Sequence, residues 1–207
     1  MTPDQAVAVF IALFVTIDPI GVVPLFIALT QGMTASERRR TALAACAVAF
    51  GLLAFFGLAG EFILTSVGIS MSAFRIAGGL LLFLIAIDML FEKRTERRGR
   101  QAEDARPDPT VFPLATPLIA GPGALAAMVL FAGQHPTPAG FLALNGILAA
   151  VMVLCLALFL AGGFIARFLG KTGVTVVTRL LGMLLAALAV QFVLDGLADV
   201  GVLGGGG

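Results

Sequence analysis

Six stretches of this chain, residues 6–29, 41–67, 73–91, 111–131, 141–169 and 174–197, run almost without charge. Each can cross a hydrocarbon core about 30 Å thick, which takes about 20 helical residues. Lipid offers no partners to backbone N–H and C=O groups, so spanning segments must be helices or a closed barrel. A barrel needs strands of about ten residues with alternating polarity, and these long runs do not alternate. Charged residues make up only 12% of the chain, against about 25% in a soluble domain. Too little charge remains to solvate a surface of this size. The expected fold class is therefore an all-α integral membrane protein with six transmembrane helices.

The charges that do occur are sorted by loop. Arg38, Arg39 and Arg40 precede the second span, and Lys93, Arg94, Arg97, Arg98, Arg100 and Arg106 follow the third. Arg167 and Lys171 close the fifth, whereas the connections 65–72 and 133–140 and both termini carry no Lys or Arg. Positive residues concentrate on the cytoplasmic side, so both termini are expected outside a cell inner membrane. The basic run after the third span reads as a loop obeying that rule, and no nucleic-acid partner is expected. Cys46 and Cys155 lie in different windows and read as small buried apolar residues, so no metal site is expected from them.

The sequence also resembles itself. Arg75-Ile76-Ala77-Gly78 in the third span is matched by Arg179-Leu180-Leu181-Gly182 in the sixth, 104 residues on. Pro19 in the first span and Pro122 in the fourth stand 103 residues apart. Two markers at nearly one offset predict two three-helix repeats, residues 1–91 and 111–200. A basic cytoplasmic linker (92–110), expected to be flexible, joins them, and a flexible tail (201–207) comes last. With an odd number of spans in each half, the second repeat must enter the membrane inverted. Inverted repeats with sites at interrupted helices near the midplane are a feature of secondary transporters.

The interruptions are explicit in the residues. Proline lacks an N–H and clashes with the preceding turn, so Pro19 and Pro24 break the first span. An acid followed by proline suits a helix N-cap and first position, so Asp18-Pro19-Ile20-Gly21 predicts a new half-helix starting inside the span. Gly121-Pro122-Gly123 predicts the same in the fourth. Each start exposes backbone N–H groups at the positive end of a helix dipole, ready for a small anion. Asp18 adds an acid that can meet an ammonium group, hold Na⁺, or carry a proton. Donors for a carboxylate beside an acid for an amine fit a zwitterionic amino acid. Thr16, Thr116, Arg75 and Arg179 are candidates for the pathway or for coupling, although the arginines sit near span ends, where they can reach the interface instead. Gly78 and Gly79 read as positions of close helix approach.

These same residues resemble a known family. Asp18-Pro19-Ile20-Gly21 with Pro24, Phe74-Arg75-Ile76-Ala77-Gly78-Gly79, and Pro117-Leu118-Ile119-Ala120-Gly121-Pro122-Gly123 look like the signature segments of the MarC family. It is also called the neutral amino acid transporter family and is distantly related to LysE-type exporters. The resemblance spans nearly the whole chain. It implies a six-span inner-membrane protein and, for SnatA-like members, movement of glycine, alanine or threonine coupled to an H⁺ or Na⁺ gradient. Many members carry asparagine after the glycine of the first segment, where this chain has Val22.

The expected function is an ion-coupled exporter or secondary transporter of small neutral amino acids, with no cofactor and no catalytic residue. A channel or scaffold without transport is the alternative, and behind it an intramembrane aspartyl hydrolase using Asp18 with Asp88. A channel needs a continuous polar lining, which these spans do not supply.

Overall fold

The computed structural model describes residues 1–94, 97–99 and 108–202. Most of the 92–110 linker and residues 203–207 of the tail lie outside them. The described residues form helices and their connections, with no strand among them. Five helices are long and apolar enough to cross a membrane, or six when one sharply bent pair is counted as a span.

The first span is two helices. α1 (Pro3–Ile17) opens on a capping box in which Thr2 and Gln5 satisfy each other's backbone donors. It closes at Asp18, and α2 (Pro19–Leu29) begins at once. α3 (Ala35–Ser66) starts earlier than its apolar window predicts, because Thr34 and Glu37 form a second capping box upstream of the arginines. α4 (Met71–Leu90) comes next, capped by Ser70.

The fourth span is the bent one. α5 (Thr110–Ile119) is a wide, irregular helical segment, and α6 (Pro122–Gln134) leaves it at 59°. Within α5, Phe112 and Thr116 take extended angles, φ −123°, ψ 122° and φ −138°, ψ 129°. Each precedes a proline, whose ring excludes the helical region for the residue before it.

α7 (Pro138–Leu160) ends nine residues before the sequence predicts. The chain turns at Ala161 into α8 (Gly162–Asp199), whose helix is broken at Gly170 with φ +59° and ψ −176°. The apolar residues 162–169 therefore belong to a short separate helix, and the last span is Thr172–Asp199. Glycine adopts that positive φ without the steric cost a side chain brings.

The broken helices lie inside. In the most apolar stretch of the α1–α2 span 61% is buried, against 28–33% in α3, α4, α7 and the last span. The outer four turn large apolar side chains outward, including Leu58, Leu84, Leu142 and Leu184. In lipid such a surface needs no covering, because the tails are as apolar as the side chains.

The most extensive helix pairing is α4 against α8, and α3 packs on α5, α6 and α7. Small residues set the first contact. A Cβ on Gly79 would stand 2.8 Å from the Ala189 carbonyl oxygen, and one on Gly182 2.9 Å from Met89 Cβ.

Candidate functional site

Asp18 joins α1 to α2 and serves both. Its N–H donates to the Phe14 carbonyl at 2.9 Å, ending α1, while its Oδ1 accepts from the Gly21 N–H at 3.1 Å, starting α2. To do both it takes φ +55° and ψ +60°, the left-handed region that aspartate tolerates better than most residues. Gly21 is required for the cap: a Cβ there would lie 2.2 Å from Asp18 Oδ2. Asp18, Pro19 and Gly21 are buried and Ile20 half-buried.

The second break is built differently. Gly121 caps α6 from an extended conformation and supplies no side-chain acceptor, so the first donors of α6 have none of the help that Asp18 gives α2. Thr116 turns its hydroxyl to the Ala120 carbonyl at 3.3 Å. The two breaks are adjacent in space, since a Cβ on Gly123 would sit 3.3 Å from Thr16 Cγ2 and 2.5 Å from Ile85 Cδ1.

Between the breaks lies a cavity of about 120 Å³, lined by Thr16, Pro117, Gly121, Pro122 and Gly123 together with Asp88 and three arginines. The arginines are Arg94, Arg97 and Arg98, from the segment expected to be a solvated loop. Glu92 turns the chain there with φ +63°, directing the arginine-bearing segment under the broken helices. Arg98 is buried. Its Nη1 donates to Asp18 Oδ2 at 2.9 Å, and its Nη2 to the carbonyls of Ile17 at 3.0 Å and Leu118 at 3.4 Å. Arg94 donates to the Thr16 carbonyl at 2.6 Å, and Arg97 pairs with Asp88 at 2.7 Å.

Sequence reasoning missed these three residues, having assigned their charge to topology alone. The available signal was their spacing: 94, 97 and 98 fall on one face of a helical turn just past α4. Asp88 lines the cavity with them. Asp18 itself does not line it, because Arg98 stands in front.

Around this cavity three guanidinium groups face two carboxylates, so among the described residues one positive charge is in excess. Burial, with the neighbouring Arg98 charge adding to it, pushes Arg94 down to about 9. Burial likewise lowers Arg98, while the Asp18 carboxylate opposes the shift. A small anion there would offset this cost, and Gly121 to Ala124 at the α6 N-terminus line the same space.

The two arginines expected along the pathway are elsewhere. Arg75 pairs with Asp199 at 2.5 Å and Arg179 with Glu92 at 2.5 Å, and neither lines the cavity. Cys46 and Cys155 are buried free thiols, and no cluster of metal-binding side chains occurs among the described residues.

The family model for MarC family integral membrane proteins matches residues 4–200. Among curated relatives, UPF0056 membrane protein MJ1677 of Methanocaldococcus jannaschii is 38% identical over 91% of this chain and 93% of its own. YvbG of Bacillus subtilis is 37% identical over 92% and 93%, and YhcE of Escherichia coli 34% over 92% and 91%. Both are likewise called UPF0056 membrane proteins, a name that states no activity. No solved structure matches the chain. With a full-length family match and relatives from bacteria and archaea alike, the chain belongs to the MarC family of integral membrane proteins.

Proposed function

We propose that this protein is a secondary transporter or exporter of small neutral amino acids, working in the cell inner membrane by ion-coupled alternating access. The observation that carries this reading is the shared cavity: two interrupted helices from different halves of the chain line one small space. The cavity is small, about 120 Å³, in keeping with a small substrate such as glycine or alanine. The α6 N-terminus and Arg94 offer donors to the substrate carboxylate, and Asp18 with the neighbouring carbonyls can meet its ammonium only once Arg98 has left them.

The inverted repeat on which alternating access depends draws support from the two ion pairs. Arg75 at the start of α4 binds the acid that ends α8, and its counterpart Arg179 in α8 binds the acid just beyond α4. Exchanging the halves exchanges one pair for the other, as a two-fold relation requires. The breaks then face each other at mid-membrane, Asp18 is the group for H⁺ or Na⁺ coupling, and both termini lie outside. The hydrolase alternative loses ground, because Asp18 and Asp88 are held by separate arginines and share no proton.

Reconstitution into proteoliposomes tests the proposal. Radiolabelled glycine, alanine or threonine should move above the level of empty vesicles, and the rate should respond to an imposed Na⁺ or pH gradient. No movement of any of the three would leave a channel or scaffold as the better account.

A further inference from the structure

The crevice behind the cavity is an oxygen cradle for a positive charge, and the chain fills it with its own side chain. α1 ends at Ile17 and α5 at Ile119, so carbonyls in their last turns lack helical partners and carry the negative end of each dipole. Arg98 collects one such oxygen from each helix, at Ile17 and Leu118, together with Asp18 Oδ2. Arg94 takes the next carbonyl, at Thr16. Carbonyls at half-helix ends beside a carboxylate are the ligand set that interrupted helices offer to a cation.

Arg98 comes from outside the spans. It reaches the cradle from the segment beyond α4, which turns at Glu92 in a left-handed conformation, and Glu92 is tied to Arg179 on α8. A guanidinium is always charged and fills a planar fork of donors, so no second cation fits at the same oxygens. Nor can the cradle stay empty, since a buried carboxylate without a counter-charge is strongly disfavoured. One cation must replace another.

We propose that Arg98 is a tethered occupant of a monovalent-cation site formed by Asp18, the Ile17 carbonyl and the Leu118 carbonyl. An ammonium group or a free metal cation takes this site only when Arg98 leaves these oxygens. This rests on the transport reading for its purpose, but the exclusion itself is measured without transport.

Thermal unfolding of the purified full-length protein is followed while Na⁺ or methylammonium replaces choline at constant ionic strength. Removing an internal competitor raises the fraction of open sites, so Arg98→Gln should lower the half-stabilising concentration about tenfold or more. Adding Asp18→Asn should abolish the response, and Arg98→Lys, which keeps the charge, should stay near the parent. Whichever ion stabilises distinguishes a free metal cation from a substrate-type ammonium. Equal half-stabilising concentrations in the parent and Arg98→Gln, or no stabilisation of Arg98→Gln by either ion, overturn the proposal.

A second measurement leaves Arg98 intact. Gly99 is half-buried beside Arg98 and has room for a side chain, so withdrawal of Arg98 should make a Gly99→Cys thiol react several-fold faster with an alkylating reagent when the effective ion is added. An unchanged rate contradicts the withdrawal. Competition at the cradle without amino acid uptake in vesicles sinks the transport reading and leaves this one standing.

Discussion

Arg98 Nη1 lies 2.9 Å from Asp18 Oδ2, a contact between residues 80 positions apart. It bridges the first helix break and the segment beyond α4. Removing one partner of a buried ion pair costs about 3–5 kcal/mol, because the other charge is left uncompensated. Arg98→Gln should therefore lower the melting temperature substantially. Asp18→Asn keeps the oxygen that accepts from Gly21 but leaves the Arg98 charge unpaired, and should cost a similar amount. The double variant should be more stable than the summed losses predict, by about 0.5–3 kcal/mol. Strictly additive losses would show that the two side chains do not act as a pair.

Gly21 holds the cap open. Because its Cβ would collide with the Asp18 carboxylate, Gly21→Ala should displace the acid, destabilise by about 1–3 kcal/mol as overpacking does, and abolish uptake. Uptake at the parent's rate in Gly21→Ala would mean that the position of the carboxylate does not matter to transport.

The α4–α8 contact depends on Gly79 in a way that α3 does not depend on Gly51. Gly79→Ala would press a methyl against the Ala189 carbonyl and should cost about 1–3 kcal/mol. Gly51 lies in mid-helix with nothing within 4 Å of its Cβ position, so Gly51→Ala should be neutral or stabilise by up to about 1 kcal/mol. Thermal unfolding of the two variants side by side distinguishes packing from helix propensity.

Orientation is checked with single cysteines and a membrane-impermeant thiol reagent. Thr2→Cys and His135→Cys should label from outside intact cells, and Arg39→Cys only after permeabilisation. Labelling of Arg39→Cys in intact cells would reverse the topology.

Much of this architecture was legible in the sequence, because its causes are local. An acid before proline starts a helix wherever it occurs, so Asp18-Pro19 and Gly121-Pro122 announced both breaks. Proline also dictated the extended angles at Phe112 and Thr116. What stayed hidden was non-local. Lys93 to Arg98 read as solvated charge, and only the spatial closeness of Asp18, Asp88 and two helix ends makes a buried place for Arg98 and a half-buried one for Arg94. The early end of α7 was missed for a related reason: residues 162–169 are apolar enough to extend a span, and the break at Gly170 does not register in hydropathy. Arg75 and Arg179 were seen as equivalent, but their pairing with Asp199 and Glu92 depends on how α4 lies against α8.

The central claim is that the two breaks enclose one site for a small amino acid. Equilibrium binding of radiolabelled glycine to the purified protein tests it most directly, with Gly123→Val as the comparison, since that side chain would fill the space between Thr16 and Ile85. Saturable binding that alanine displaces, leucine does not, and Gly123→Val loses is the result expected. Binding that survives in Gly123→Val, or no saturable binding in the parent, would contradict the account.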